Sequence, residues 1–190
     1  MANESKHEWQ PETVLTYWFS ELTNEERFGG GETVDTQIAE RFSELHAAAT
    51  HNELWSWRTT ARGALAEIIV LDQFSRNLHR GTAPAFASDA QALALAQVLV
   101  AAGSDQTLTV EERLFVYLPY MHSESRLVHE EAVRLFTALG DDEALRYEHV
   151  HRDIIELFGR YPHRNEQLGR ASTPAELAYL EETQHDFFSS

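Results

Sequence analysis

The stretch from Thr60 to Asn77 reads TARGALAEIIVLDQFSRN. Its apolar residues Leu65, Ile68 and Ile69 recur at helical spacing and define one face, so the stretch is predicted to form a long helix. No segment of the sequence shows an alternation of polar and apolar residues that competes with this helical pattern. The sequence therefore predicts an all-α fold.

Helix start and stop signals divide the rest of the chain into further helices. Thr109 with Glu112 predicts a capping box, and Thr173-Pro174 predicts the start of the last helix, which runs to about Gln184. Short connections between successive helices predict stacked antiparallel pairs, as in an α-α superhelix. We expect one domain over residues 1–190, with a disordered tail at residues 1–10. The other predicted helices are Glu12–Leu22, Val34–Thr50, Ser88 to Gly103, Thr109 to Pro119, Ser125 to Gly140 and Asp142–Phe158.

Loops and aromatic residues give finer predictions. The stretch from Asn24 to Glu32 contains three consecutive glycines, so we expect it to be a flexible loop. Ser88 and Ser125 are predicted to cap the helices that follow them. The four tryptophans can lie in the core or at an interface, and the core is the default expectation; they are Trp9, Trp18, Trp55 and Trp57.

Composition limits the classes of partner. The formal net charge of the chain is −16, and its single lysine is Lys6. This charge argues against nucleic-acid binding, which uses a basic face. The N-terminal residues MANESKHEWQ lack the basic start and apolar run of a signal peptide. The longest apolar stretch, Ala92 to Ala102, is shorter than the roughly 20 residues that cross a bilayer. We therefore expect a cytoplasmic protein with no nucleic-acid and no membrane partner.

Several kinds of site are absent from the sequence. The chain has no cysteine, which excludes disulfides, thiolate metal sites and a cysteine nucleophile. It contains no phosphate-binding loop, no dinucleotide-binding glycine motif, no HExxH and no GxSxG elbow. Its 10 histidines permit a metal site, but no spacing demands one. We expect no metal and no cofactor.

A polar pair extends the apolar face of the Thr60–Asn77 helix. Asp72 and Arg76 lie four residues apart on that face, a spacing at which side chains can meet. Arg80 continues in the same direction, whereas Asn77 points aside. The pair can be a buried structural ion pair, which needs further hydrogen bonds to offset desolvation, or it can form the wall of a polar pocket.

Polar residues also face inward or cluster in loops further along the chain. His151 precedes Ile154, Ile155 and Phe158 at helical spacing, so its ring is predicted to face the core. A lone inward histidine is more often a hydrogen-bonded core residue than a ligand. Two loops add polar density, and their ordinary role is capping and turn formation. The polar residues of interest in these loops are His122, Glu124, Arg160, His163, Arg164 and Asn165.

Three stretches of the chain resemble one known family. They are LDQFSRNLHRGTAPAFASDAQAL at residues 71–93, YLPYMHSES at 117–125 and HRDIIELFGRYPHRNEQLGRASTPAEL at 151–177. Nearly the whole chain is similar to the bacterial domain-of-unknown-function family 924. This resemblance implies a fold similar to tetratricopeptide-like α-α superhelices, and it implies no settled activity. The chain departs from the family pattern at Ser75, where proline is expected, and at His129, where glutamine is expected. The positions that match the family are Asp72, Gln73, Arg76, Asn77, Arg80, Gly81, His122, Ser123, Glu124, His151, Gly159, Arg160, Pro162, His163, Arg164 and Asn165.

These residues support three functional hypotheses. The first is a pocket for a small anionic or zwitterionic molecule, because guanidinium groups bind carboxylates and phosphates in bidentate fashion. The second is a scaffold of tetratricopeptide type that binds an acidic peptide in a groove. The third is a hydrolase or lyase in which His122 or His151 acts as general base, oriented by Glu124 or Asp72. A purely structural polar cluster is the fourth alternative. The candidate ligand-binding residues are Asp72, Arg76, Asn77, Arg80, His122, Glu124, His151, Arg160, His163, Arg164 and Asn165.

Overall fold

The regular structure of this protein is helical, as the sequence predicts. A computed structural model describes residues 9–183, and within them no strand is present. Short 3-10 turns connect several of the helices. The α-helices are α1 (Pro11–Thr16), α2 (Asn24–Gly29), α3 (Glu32–Thr50), α4 (Ala61–Ile69), α5 (Ser75–Leu78), α6 (Asp89–Ala101), α7 (Val110–Met121), α8 (Arg126–Leu139), α9 (Asp142–Phe158) and α10 (Pro174–Thr183).

The helix predicted from Thr60 lies at the centre of the fold. The Thr60 hydroxyl caps α4 by accepting a hydrogen bond from the backbone N–H of Gly63 at 3.0 Å. A π-helical turn, Val70–Phe74, joins α4 to α5. α4 packs against α1, α6 and α7. Because it has neighbours on several sides, nearly all of its residues are buried.

An aromatic cluster forms part of the main core. The Phe74 ring centroid lies 4.9 Å from that of Phe42, 5.8 Å from that of Trp18 and 6.1 Å from that of Tyr17. All four side chains are at most 1% exposed. Tyr17 and Trp18 lie in a π-helical turn, Tyr17–Glu21, that follows α1. Since aromatic rings bury large apolar areas, this cluster ties that turn, α3 and the turn at Val70–Phe74 together.

The second half of the chain forms the predicted antiparallel stack. α7 packs against α8, and α8 packs against α9. Gly140 ends α8 with a φ of 76°, a left-handed conformation that glycine adopts readily. The Asp141 carboxylate then accepts hydrogen bonds from the N–H groups of Glu143 and Ala144 and caps α9. This short turn reverses the chain direction between α8 and α9.

Two predictions about where helices occur or end are wrong. The expected flexible loop at Asn24–Glu32 contains α2, because Thr23 and Glu26 form a reciprocal capping box that starts a helix despite the glycines that follow. The helix predicted to stop at Pro119 continues to Met121. A proline removes only its own N–H from the hydrogen-bond ladder, and the last turn of α7 is buried in the core.

Other local predictions also fail. Neither Ser88 nor Ser125 makes a side-chain capping bond, although both precede helices. Trp55 is 68% exposed, because it lies in a short 3-10 turn at the surface, whereas Trp18 and Trp57 are buried. Trp9 packs against the core. Residues 1–8 of the predicted tail and the predicted helix end at Gln184 lie outside the described residues.

One described stretch, Ala83–Ala101, is long and apolar enough to cross a membrane by length and composition alone. The mean hydropathy of its most apolar 18 residues is 1.2, and 28% of these residues are buried. Ala92, Ala96 and Leu99 of α6 belong to the main core, and α6 packs against α4 and α7. The stretch is therefore an integral part of a globular helical fold.

Candidate functional site

The π-helical turn at Val70–Phe74 places two polar residues inside the protein. Asp72 is 1% exposed and Gln73 is 9% exposed. A π-helical turn holds one more residue than an α-helical one, which changes the direction of the side chains that follow. Such turns are rare and occur frequently at functional sites. This turn therefore marks Asp72 as the starting point for a candidate site.

Three side chains hold the Asp72 carboxylate. Its Oδ1 atom lies 2.8 Å from Nδ1 of His122 and 3.1 Å from Nη1 of Arg76, and its Oδ2 atom accepts a hydrogen bond from Gln73 at 2.5 Å. Burial favours a raised pKa for Asp72, but Arg76 and His122 outweigh burial and hold this pKa below the usual aspartate range. Asp72 is thus ionised at neutral pH, and it meets Arg76 as their spacing predicts.

His122 follows α7 directly and occupies its C-cap position. Burial and the charge of Arg76 lower the pKa of His122, and the opposing effect of Asp72 is smaller. The ring is therefore neutral at pH 7. Because an ionised carboxylate can only accept, Nδ1 carries the ring proton and donates it to Asp72. The other nitrogen, Nε2, is then an acceptor, and within residues 9–183 it has no hydrogen-bond partner.

Two arginines share the carboxylate of Asp89, the first residue of α6. Arg76 binds it through Nη1 and Nη2 at 3.0 and 3.2 Å, and Arg164 donates from Nη1 at 3.2 Å. Asp89 and Arg76 retain side-chain exposures of 17% and 22%. Residues from three separate parts of the chain thus form one arginine–carboxylate cluster with a partly open side.

Arg164 is the most enclosed cation of this group. Its guanidinium carbon lies 4.5 Å from the ring centroid of Tyr161 and 4.6 Å from that of Phe86. Its Nε atom is buried and has no hydrogen-bond partner. Burial lowers the pKa of Arg164, and Asp89 offsets only part of that effect. Since a buried N–H without an acceptor is unfavourable, an additional acceptor or negative charge would stabilise the Arg164 guanidinium.

Two further histidines lie beside Tyr161. The ring centroids of His151 and His163 are 5.7 and 5.4 Å from that of Tyr161. Burial lowers the pKa of His151 to about 4 and that of His163 to about 3, so both rings are neutral at pH 7. Nδ1 of His151 lies 2.8 Å from the Tyr147 carbonyl oxygen and donates to it. His151 faces inward as predicted, towards Tyr161 rather than an aliphatic core.

Glu124 and Asn165 support the loop that carries Tyr161. The Glu124 carboxylate accepts a hydrogen bond from the Tyr161 N–H at 2.8 Å and pairs with Arg170 at 2.7 Å. The Asn165 amide donates to the Ser172 hydroxyl at 3.0 Å and accepts from Arg170 at 2.9 Å. Their contacts are thus those of positioning residues, and their predicted contact with a ligand remains a prediction.

Three predicted residues lie in other groups. Asn77 and Arg80 both bind the carboxylate of Asp35 on α3, at 2.8 and 2.7 Å. Arg160 binds Glu176 on α10 at 2.6 Å. Two of the open depressions in the described chain lie away from Asp72 and Arg164. The first, of about 430 Å³, is lined by Gly31, Glu32, Asp35, Thr36, Ala39, Asn77, Leu78 and Arg80. The second, of about 440 Å³, is lined by Glu130, Val133, Arg152 and Glu156.

Sequence reasoning missed Asp89, Phe86, Tyr161 and Arg170 as members or supports of this site. Asp89 and Phe86 lie inside the family-like stretch at 71–93, where the sequence pattern predicts only a helix start after Ser88. Tyr161 stands at the centre of the polar loop at 159–165. The signal that could have found it is an aromatic residue flanked by two arginines and a histidine, a setting that favours guanidinium–ring stacking.

A second buried polar network lies beside the site. Nδ1 of His129 is 2.8 Å from Oε1 of Glu148, and Nε2 is 2.9 Å from the Ser123 carbonyl oxygen and 3.1 Å from the Tyr161 hydroxyl. His129 and Glu148 are both fully buried. The Tyr161 hydroxyl also donates to the Met121 carbonyl at 2.5 Å. This network fixes the Tyr161 ring against the ends of α7 and α8.

Within residues 9–183, no group of three or more histidine, aspartate and glutamate side chains is arranged to hold a metal ion. The donors of the candidate site are instead arginine, histidine and carboxylate groups that bind one another. Such a set is suited to recognising carboxylate or phosphate oxygens directly through guanidinium forks.

The fold and site define a class of protein: an all-α helical domain with a partly buried arginine, histidine and aspartate cluster. The chain belongs to the family described as bacterial protein of unknown function, DUF924, which it matches over residues 14–184. A solved structure of a protein of unknown function, ATU0120 from Agrobacterium tumefaciens, is similar to it. That chain has 37% sequence identity and a TM-score of 0.86, and the match covers 90% of this chain and 97% of that one. No curated protein matches this chain.

Proposed function

We propose that this protein binds a small anionic or zwitterionic molecule at the cluster of Asp72, Arg76, Asp89, His122 and Arg164, called here the Arg76–Arg164 cluster. One observation carries the proposal: the guanidinium of Arg164 is buried between two aromatic rings, yet its Nε atom has no acceptor. A carboxylate or phosphate oxygen of a ligand would supply that acceptor. Arginine forks bind such oxygens with charge-assisted hydrogen bonds.

The start of α6 supports an anionic group at the same place. The first N–H groups of an α-helix have no partner within the helix and carry a partial positive charge. Ser88, which precedes α6, provides no side-chain cap. Asp89 at the first position is bound by both arginines. A ligand oxygen near these N–H groups would be favoured by the helix end as well as by the arginines.

Charge balance limits what the ligand can be. The cluster has two arginines and two aspartates, and its histidine is neutral at pH 7. Its formal charge is thus close to zero, so a highly charged anion would be repelled by Asp72 and Asp89. A molecule with one carboxylate, together with hydroxyl or amino groups that bind Asp89 or the neutral histidines, fits this balance best.

The distribution of arginines favours a compact pocket over a peptide-binding groove. Arg76 and Arg164 share Asp89, whereas Arg80 pairs with Asp35 and Arg160 pairs with Glu176. A groove for an acidic peptide would need the four arginines along one surface, with free donors. Their separate carboxylate partners give less support to that alternative.

We also propose a cytoplasmic location for the protein, in keeping with its lack of cysteine.

The binding proposal can be tested by thermal shift with a panel of small carboxylates, amino acids and phosphorylated compounds. We expect at least one compound class to raise the melting temperature of the wild type. Arg164→Gln should need at least a tenfold higher concentration of the compound for the same rise. That variant keeps a similar shape but loses the guanidinium fork.

The matched control is Arg134→Gln, because Arg134 lies on the surface of α8 and, among residues 9–183, forms its ion pair with Glu131 alone. This control should respond to the compounds as the wild type does. An equal response of the wild type and Arg164→Gln to every compound would contradict the proposed site.

A further inference from the structure

We propose that His122 is a general base that activates water to hydrolyse a carboxylate-bearing ester held at the Arg76–Arg164 cluster. This inference rests on the proposed function, since the arginines must first hold the substrate. It adds an activity to the binding site and assigns roles to His122, Asp72 and Arg76. The roles follow from the contacts of Asp72, from the position of His122 and from the place of Arg76.

The first argument is the pairing of His122 with Asp72. Four histidine–carboxylate pairings were compatible with the sequence, between His122 or His151 and Asp72 or Glu124. The structure forms one of them, at 2.8 Å between Nδ1 of His122 and Oδ1 of Asp72. His151 instead contacts the Tyr147 carbonyl, and Glu124 binds Arg170. A buried carboxylate on Nδ1 fixes the orientation and tautomer of a catalytic imidazole.

The second argument is the state of the free nitrogen. With Nδ1 protonated towards Asp72, Nε2 of His122 has a lone pair and no partner among residues 9–183. The side chain is 15% exposed, and Nε2 is not one of the fully buried polar atoms of residues 9–183 that lack a partner, so this nitrogen is in reach of solvent. Asp72 itself is held by Gln73 and Arg76, so it cannot swing away from the imidazole. Nε2 of His122 is thus in reach of solvent, and Asp72 holds its ring in a fixed orientation. Activation of a water molecule requires a base placed in this way.

The reaction balances without any further reactant. Nε2 of His122 takes a proton from water as the water oxygen bonds to the ester carbonyl carbon, and the negative charge that develops on the carbonyl oxygen is stabilised by Arg76. The carbon–oxygen bond to the alcohol then breaks, and the imidazolium returns its proton to the leaving alkoxide. Ester and water become acid and alcohol, and His122 is regenerated.

The experiment uses mono-4-nitrophenyl adipate, an ester that carries a free carboxylate, and follows release of 4-nitrophenolate above the buffer rate. His122→Gln should lower kcat/KM by about 100-fold, the usual contribution of general base catalysis. His51→Gln, an exposed histidine at the end of α3, is the control and should act as the wild type does. A wild-type rate no greater than that of His122→Gln would overturn the proposal.

Asp72 is assigned as a positioning residue, and the pH profile separates this role from a structural one. The charged and titratable groups that face His122 are Asp72, Arg76, Asp89 and His151. The wild-type rate should rise with pH at a midpoint below 6.5, as His122 loses its proton. Since Asp72 opposes the lowering of the pKa of His122, Asp72→Asn should shift this midpoint to lower pH and reduce kcat. An unchanged midpoint in a folded variant would remove Asp72 from the mechanism.

The outcome for catalysis can be told apart from that for binding. Thermal shift with adipate itself measures binding without any reaction. If adipate stabilises the wild type but not Arg164→Gln, while ester hydrolysis does not depend on His122, the binding site stands and the general base is wrong. If adipate and every other anion leave both proteins unchanged, the proposed binding function fails first.

Discussion

Among individual residues, the neutral histidines make stability depend on pH. Burial lowers the pKa of His46 to about 4, that of His151 to about 4 and that of His163 to about 3. Below pH 6.5 the unfolded chain binds protons at these positions while the folded protein does not, so acidification favours unfolding. The folded state should therefore lose stability as the pH falls from about 6.5 towards 4.

His163 offers a direct test of this dependence. Urea unfolding at pH 7 and pH 5 should show a decrease in the free energy of unfolding, and His163→Gln should make that decrease smaller by about 2 kcal/mol. Glutamine cannot take up the proton that favours the unfolded chain. His51→Gln, at an exposed position, should leave the decrease as in the wild type. If His163→Gln also leaves it unchanged, His163 does not titrate as its burial implies.

Some residue contacts could be predicted from the sequence and others could not. Asp72 and Arg76 meet because helical periodicity alone brings residues four apart together. The partnership of Arg76 with Asp89, and of Arg164 with the same carboxylate, depends on how α6 and the loop at 159–165 approach α5. No local pattern encodes that approach, so the sequence identified the cations but not the anion between them.

Among the helices, the starts at Thr109 and Thr173 were predicted, whereas the start of α2 and the interruption of the central helix were not. The capping boxes at Thr109 and Thr173 exist because each needs only a side chain and a backbone group three residues apart. The π-helical turn at Val70–Phe74 could not be predicted from the sequence. It contains ordinary helix-forming residues, and it is stabilised by tertiary packing around Phe74 and by the bonds to Asp72.

The capping box of α7 gives a prediction for helix stability. Thr109→Ala should lower the free energy of unfolding by about 1 kcal/mol, since it removes the acceptor for the Glu112 N–H. Ser88→Ala is the matched control, because Ser88 precedes α6 without capping it, and it should cost clearly less. Urea unfolding of both variants measures the difference. Equal losses would show that the cap of α7 contributes nothing specific.

At the scale of the whole molecule, the all-α class and the antiparallel stacking of the described helices are predicted by periodicity and short connections. The candidate site draws on segments far apart in sequence, at residues 72–76, 89, 122 and 151–164. Its assembly depends on packing that a single sequence does not specify. The family-like stretches named the right segments, because they include Asp72, Asp89, His122 and Arg164, but not the contacts among them.

The prediction of one domain over residues 1–190 can be tested by unfolding. The tryptophans lie in the first third of the chain, whereas helical circular dichroism reports on all the helices. In urea, tryptophan fluorescence and circular dichroism should give one coincident transition, as expected for a cooperative domain. Separate midpoints would mean that α8 to α10 unfold apart from the rest, which would contradict a single domain.

The most direct test of the binding site is native mass spectrometry of the purified protein beside Arg76→Ala, each after incubation with the compounds that shift the wild-type melting temperature. We predict that the wild type carries a bound small carboxylate or zwitterion. The variant should show only the mass of the unliganded protein, while circular dichroism shows that it is still folded. Equal occupancy of both proteins, or a bare mass for both throughout the panel, would contradict a ligand site at the Arg76–Arg164 cluster and identify the cluster as a structural ion-pair network.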